Sequence, residues 1–321
     1  MRLLLISNDY PPKPGGIQMY LRNFVDAYPH EVQVFGPSDE NADPNDGVIR
    51  GDRPYMLPTR STLASVLEAA EQFRPDAVLF GAPHPLPRLG PAIRDELGIP
   101  FAVLSHGAEV TIPGAIPGAR QLLGSTLAAA DVRFAVSRFT ADRVSRIARK
   151  DTTFLGAGVE IETFVPAATP PDNPRPVIGC VSSFVPRKGQ HRLLEAVSEL
   201  DRDVTVLIVG KGRTEVALRK QADRLGLDVR FEVDVPWSAL PGLYQQMDVF
   251  CMPTKSRWAG LEVEGLGLVF LEASASGWPV LAGDSGGSPE TVLPGETGYV
   301  VSSVEDIVEG LQMLLDDPDA A

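Results

Sequence analysis

Short apolar runs alternate with helix-length amphipathic stretches along the chain, and few folds accept that pattern. In the first half the apolar runs cover residues 3–6, 32–35, 77–80, 101–104 and 133–136. Helical periodicity covers 16–27, 62–72, 88–96, 119–129 and 138–149. The stretch Ala167-Ala-Thr-Pro-Pro-Asp-Asn-Pro-Arg-Pro176 carries four prolines and reads as a linker. Beyond it the pattern restarts, with strands over 177–181, 204–209, 229–232, 249–251 and 280–282. Its helices cover 189–199, 214–225, 237–244, 269–276 and 304–315. Strands alternating with helices demand parallel sheets covered on both faces. At 321 residues the chain has room for two such units. The expected fold class is α/β: two doubly wound domains, residues 1–165 and 177–321, joined by the linker 166–176 and facing a cleft. Ligands would then bind beyond the strand C-termini.

Charge narrows the partners. The net charge of −13 argues against a nucleic-acid binder. Residues 1–165 hold 16 basic against 19 acidic side chains, and residues 166–321 hold 13 against 23. Residues 133–150 run the other way, with six basic side chains and one acid, Asp142. Such a stretch reads either as a contact for an anionic membrane or as a solvated helix face. No apolar run reaches the length of a membrane span. Residues 1–6 are too short for a signal peptide and read as a first buried strand. Cys180 and Cys251 lie inside apolar segments and read as reduced core residues of a cytoplasmic protein. The two Cys and four His show no metal-ligand spacing.

Chemistry-bearing motifs fall at strand ends. Glu264-Gly-Leu-Gly-Leu-Val-Phe-Leu-Glu272 puts one carboxylate in a loop and a second about two turns into the following helix. Its glycines, Gly265 and Gly267, let backbone N–H groups approach a phosphate at the helix N-terminus. Ser183-Phe-Val-Pro-Arg-Lys-Gly189 sets adjacent cations, Arg187 and Lys188, at a helix start, where they suit a diphosphate. Pro11-Pro-Lys-Pro-Gly-Gly-Ile-Gln18 opens the first helix on Gly15 and Gly16, a phosphate site or a plain turn. The dinucleotide fingerprint G-x-G-x-x-G is absent after both first strands, which argues against a nicotinamide-dependent oxidoreductase. Ser105-His-Gly-Ala-Glu109 places His106 at a strand end, where it can bond a hydroxyl or sit beside a turn. Val209-Gly-Lys-Gly-Arg213 and Ser285-Gly-Gly-Ser-Pro-Glu290 line a site or merely turn the chain.

Taken in order, Gly15-Gly16, His106-Gly107, Gly158-Val-Glu-Ile-Glu-Thr-Phe164, Pro186-Arg-Lys-Gly189, Gly210-Lys-Gly212 and Glu264…Glu272 resemble the retaining nucleotide-sugar glycosyltransferases of family 4. That family has two Rossmann-like domains, the GT-B fold. A closer resemblance, carried by Met252-Pro253, Arg257, Gly260-Leu-Glu-Val-Glu264 and Gly286-Gly-Ser-Pro-Glu-Thr291, is to actinobacterial GDP-mannose-dependent phosphatidylinositol mannosyltransferases. Among these it is closest to the type that extends phosphatidylinositol monomannoside through an α-1,6 linkage. The resemblance implies that the Gly16 N–H meets the donor diphosphate and that Lys188, with Arg187, neutralises it. Glu264 would bind the sugar hydroxyls, Gly267 and Leu268 N–H groups the phosphate, and Glu272 the ribose. His106 would contact the transferred sugar, Tyr10 and Gln18 the acceptor, and Gly210 would border the base pocket, near 210–212 and 231–235. It further implies a metal-independent enzyme without a resident cofactor, using GDP-mannose and a lipid acceptor. Its place would be cytoplasmic, peripheral on the inner face of the plasma membrane.

Two departures stand out. Ser183 occupies the position at which these relatives carry an Arg. The chain also ends at Asp319-Ala-Ala321, where the family continues into a helix crossing back onto the N-terminal domain, so that crossover helix is expected to be missing. These departures keep open a sugar-nucleotide-binding protein with little transfer activity. A transferase using a UDP-sugar is a further alternative, and a sugar-nucleotide epimerase, whose chemistry also occurs on this fold, is opposed by Glu264…Glu272 with Pro186-Arg-Lys-Gly189.

Overall fold

The computed structural model describes residues 1–169 and 173–317, so part of the linker read over 166–176, and the chain end at 319–321, lie outside the described residues. The chain divides into two compact units, Met1–Ala157 and Gly158–Ala321.

The first unit holds strands β1 Leu3–Ile6, β2 Val32–Gly36, β3 Ile49–Arg50, β4 Ala77–Phe80, β5 Phe101–Ser105, β6 Val132–Ala135 and β7 Thr153–Phe154. Its helices are α1 Gly16–Ala27, α2 Arg60–Phe73, α3 Gly90–Leu97, α4 Ala108–Ala115, α5 Pro117–Ala129 and α6 Arg138–Ala148. The strands pair in the order β3-β2-β1-β4-β5-β6-β7, all parallel, with Leu3 opposite both Val32 and Ala77. Strand order reverses between β1 and β4. Right-handed crossovers therefore lay the helices on opposite faces to either side of that point. A strand covered on both faces must be apolar throughout, and all four residues of β1 are buried. Helix starts follow their signals: the Thr59 hydroxyl accepts the Thr62 N–H, and the Ser137 hydroxyl accepts the Thr140 N–H.

Three elements here had no sequence signal. β3 and β7 have two residues each, too few to show a period. α4 contains Pro113 and Gly114, which break helical periodicity. The basic run over 133–150 also resolves into parts. Arg133 is buried and donates to the carbonyls of Ala130 at 2.6 Å and Asp151 at 2.8 Å. The remainder lies on α6 and just after it, exposed except for the half-buried Arg143, with the Arg138 and Arg143 guanidinium groups each 4.8 Å from a ring centroid, Phe154 and Phe139.

The second unit repeats the plan with β8 Val177–Val181, β9 Thr205–Gly210, β10 Asp228–Val233, β11 Val249–Met252, β12 Val280–Gly283 and β13 Gly298–Val301. Its helices are α7 Gln190–Val197, α8 Glu215–Leu225, α9 Leu240–Tyr244, α10 Leu268–Ala275 and α11 Val304–Asp316. The order is β10-β9-β8-β11-β12-β13, again all parallel, so the reversal falls between β8 and β11. The helix expected from residue 189 begins instead with a tight turn, Pro186–Lys188, and α7 follows. β13 was not anticipated. Phe164, placed by sequence at the end of the first domain, is buried in this unit's core, with ring centroids of Trp237 and Tyr244 at 5.7 and 5.5 Å. Cys180 and Cys251 are free thiols in the same core, and burial pushes Cys180 up to about 12.

Candidate functional site

In the second unit, the segments that follow β8 and β11 meet beside the reversal of strand order, where doubly wound sheets bind ligands. The loop after β8 is closed by Gln190, whose side chain donates to the Ser182 hydroxyl at 2.8 Å and the Ser183 carbonyl at 3.0 Å. The turn that follows carries Arg187 and the buried Lys188. The Lys255 N–H, from the segment after β11, donates to the Arg187 carbonyl at 2.9 Å.

Further along that segment is Glu264, one oxygen of which is shared by two cations. Lys188 Nζ lies 2.7 Å from Oε2, and Arg187 Nη1 bonds the same atom. Burial would push this carboxyl up, but the Lys188 and Arg187 charges and their hydrogen bonds outweigh it and hold the group below the usual carboxylate range. The backbone of Glu264 is fixed by the loop after β12: its N–H donates to the Ser285 hydroxyl at 3.2 Å, and its carbonyl accepts the Gly287 N–H at 3.0 Å.

Gly267 precedes α10 at φ 95°, a left-handed conformation that favours glycine. A Cβ there would come within 3.7 Å of Glu264 Cγ, so α10 starts beside the charged cluster. The Leu268 and Val269 N–H groups open the helix without an intrahelical i−4 partner and carry positive partial charge, while the Phe270 N–H is taken by the Gly267 carbonyl at 3.2 Å. Lys188, Arg187, Glu264, Gly267 and Leu268 are thus brought together. Two cations and a helix N-terminus suit a diphosphate and would stabilise it as a leaving group.

Glu272 lies on α10 in a different setting. Its Oε2 accepts the Tyr244 hydroxyl at 2.8 Å. Burial pushes its carboxyl up to about 7; the Tyr244 hydrogen bond opposes this and the Glu160 charge adds to it. Sequence gave no signal for Tyr244, which is far along the chain and reaches Glu272 only because α9 and α10 flank one sheet. Gly210 closes β9 at φ 138°, where a Cβ would sit 2.0 Å from the Ser182 carbonyl. Its absent side chain lets two strand ends approach, a packing reason for a residue also expected to border the base pocket. Ser183 is exposed.

In the first unit Gly16 opens α1, with nothing within 4 Å of where its Cβ would be. Gln18 is buried and donates through Nε2 to Asp9 at 2.9 Å. Tyr10 is buried, and burial raises its phenol above the ordinary value. His106 Nε2 lies 2.9 Å from the Gly81 carbonyl. A carbonyl only accepts, so Nε2 carries a proton and donates it there, leaving Nδ1 as the ring nitrogen that faces other partners. Tyr20 meets this imidazole edge-on at 5.2 Å between centroids. The Glu109 carboxylate accepts the N–H groups of His106 and, at 2.9 Å, of Gly107. Sequence showed Glu109 in the motif without showing this role. Among the described residues no group of three or more His, Cys, Asp or Glu could hold a metal ion. No described helix is long and apolar enough to cross a membrane.

Residues 14–163 match the family model described as Glycosyltransferase Family 4, and residues 162–321 match Glycosyl transferases group 1. A Corynebacterium glutamicum protein named GDP-mannose-dependent monoacylated alpha-(1-6)-phosphatidylinositol monomannoside mannosyltransferase is 38% identical over 99% of this chain and 89% of its own. Its Mycolicibacterium smegmatis counterpart, named GDP-mannose-dependent alpha-(1-6)-phosphatidylinositol monomannoside mannosyltransferase, is 38% identical over 98% and 90%. The crystal structure of Anabaena HepE in complex with UDP shares the fold, at TM-score 0.83 and 19% identity over 100% of this chain and 91% of that one. The chain belongs to the family of glycosyltransferases, with a family 4 domain followed by a group 1 domain, that includes these phosphatidylinositol monomannoside mannosyltransferases.

Proposed function

We propose that the chain transfers mannose from GDP-mannose to a phosphatidylinositol monomannoside, forming an α-1,6 linkage with retention at the anomeric carbon. The observation that carries this reading is the Lys188–Glu264–Arg187 cluster at the start of α10, on a chain so similar to enzymes named for that reaction. Lys188 and Arg187, with the Gly267 and Leu268 N–H groups and Gly16, take the donor diphosphate. Glu264 orients the sugar through its hydroxyls, and Glu272 takes the ribose. His106 offers Nδ1 to the transferred sugar; Tyr10 and Gln18 frame the acceptor, and Gly210 borders the base.

The reaction is a front-face displacement. The bond from the anomeric carbon to the diphosphate breaks, the acceptor oxygen bonds that carbon from the same face, and the departing phosphate takes the acceptor proton. Catalysis rests on positioning and leaving-group stabilisation. The two cations supply the positive charge the leaving group requires, so transfer is expected to proceed without a divalent ion. The basic side of α6, with exposed Ile112 and Leu122 on the helices packed against it and exposed Ile116 between those helices, is proposed to rest on the anionic inner membrane face. Co-sedimentation with phosphatidylinositol vesicles but not with phosphatidylcholine vesicles would support that contact.

Thermal shift with GDP, UDP, GDP-mannose and UDP-glucose, followed by product analysis with phosphatidylinositol monomannoside, tests the reading. GDP and GDP-mannose should raise the melting temperature, because a ligand of the native state alone stabilises it. A response to UDP compounds only would overturn the donor assignment.

A further inference from the structure

Tyr244 belongs to the longest-range hydrogen bond made by either motif glutamate outside the cation cluster, and no part of the reaction above uses it. Its side chain is fully buried. Phe164 and Phe250 hold the ring, at 5.5 and 5.9 Å between centroids. The indole N–H of Trp278 donates to the Tyr244 carbonyl at 2.6 Å, so the backbone is tied as well. The phenol oxygen is therefore anchored independently of the carboxylate it bonds. Among the described residues Tyr244 is the one side chain with a hydrogen bond to the Glu272 carboxyl, and it engages one oxygen, Oε2.

Chemistry makes this partner distinctive. Burial, and then the Glu272 charge, push the phenol well above its ordinary value of 10.0, so it stays protonated and donates. A neutral donor steadies a carboxylate without cancelling its charge, unlike the cations on Glu264. The other oxygen keeps its full capacity to accept from a ligand hydroxyl. Glu160, whose charge also acts on Glu272, biases the carboxyl toward its protonated form and makes that steadying donor more consequential.

We propose that Tyr244 is the positioning residue for recognition of the nucleotide ribose: it clamps Oε2 of Glu272 so that the carboxylate presents its other oxygen to the ribose diol. The proposal rests on the nucleotide-sugar reading above.

The test measures affinity for GDP and for dideoxy-GDP, which lacks both ribose hydroxyls, in wild type, Tyr244→Phe, Glu272→Gln and the double variant. In Tyr244→Phe, GDP affinity should fall about ten-fold while dideoxy-GDP affinity changes by less than about two-fold, as for one lost hydrogen bond to a charged group. In the Glu272→Gln background, Tyr244→Phe should cost nothing further, because the two residues act as one unit. For the transfer reaction, Tyr244→Phe should raise the KM for GDP-mannose with kcat kept. Equal losses for both nucleotides, or additive losses in the double variant, would overturn the positioning role while leaving the nucleotide reading intact. Wild type that binds neither nucleotide would overturn both. Should Tyr244→Phe not fold, Tyr244→Met, which also lacks the donor, takes its place: a loss confined to GDP that vanishes in the Glu272→Gln background supports the positioning role, and equal losses for both nucleotides remove it.

Discussion

Glu264 and Glu272 are equally buried, each 8% exposed, and stand at either end of one motif, yet their charge states are driven apart. Around Glu264 two cations gather on one oxygen and hold its carboxyl low. Around Glu272 there is a phenol and a second acid, and burial prevails, pushing the group up to about 7. Burial alone would have raised both; the partner decides. Glu264 is thus ionised and internally neutralised in the free protein, whereas Glu272 is partly protonated near neutrality. On the proposed reading, a bound diphosphate competes with Glu264 for Lys188 and Arg187, whereas a bound ribose favours the ionised form of Glu272.

The sharpest way to break that comparison is Glu264→Gln. Transfer should fall by about a hundred- to a thousand-fold, the scale of losing one preorganised polar group at the reacting centre. GDP, which lacks the transferred mannose proposed to meet Glu264, should bind roughly ten-fold tighter, since the variant leaves the buried Lys188 without its counter-ion until the diphosphate arrives. Calorimetric titration with GDP reads this directly. Unchanged or weaker binding would mean that the carboxylate does not compete with the ligand.

Acidity tests the other carboxylate. GDP-mannose is esterified at both ends of its diphosphate and has no ionisation of its own near neutrality. If its ribose needs ionised Glu272, affinity should rise about ten-fold from about pH 6 to about pH 8. The free protein follows the opposite sign. The folded value, about 7, lies above the ordinary 4.5, so the folded state holds a proton that the unfolded chain has released. The stability this group confers is full below about pH 4.5 and is lost as pH rises through about pH 7. Melting temperatures of wild type and Glu272→Gln across that window should therefore diverge, wild type falling relative to the variant. Parallel curves, with a flat affinity profile, would dissolve the contrast.

Local signals explain what sequence disclosed. β1 and β8 were legible as unbroken apolar runs because a strand covered on both faces admits nothing else. Arg187, Lys188 and Glu264 were legible as chemistry at strand ends. That two of them converge on one oxygen of the third was not, because segments far apart in the chain meet only through the strand order β9-β8-β11. Tyr244 carried no motif at all. α4 was hidden by Pro113 and Gly114, although the Glu109 that ties down its start was already in view. Period-based reading sees neighbours along an element, and the site is made of neighbours across a sheet.

The smallest effect separates the backbone of Glu264 from its charge. Ser285 is buried, and its hydroxyl accepts the Glu264 N–H at 3.2 Å while lying 3.1 Å from the Ser256 hydroxyl. Nothing in that geometry touches Lys188 or Arg187. Ser285→Ala therefore loosens the loop that aims the carboxylate and leaves the cations in place. Transfer should drop about five-fold, in line with about 1 kcal/mol for one intramolecular hydrogen bond. GDP affinity should stay within about two-fold, since the diphosphate site keeps its charges. The pH profile should not move, because Glu272 and Tyr244 are held by other contacts. A parallel loss of GDP affinity would show that the Ser285 loop supports the whole charged cluster, and the two glutamates would then differ in their partners without differing in how they are held.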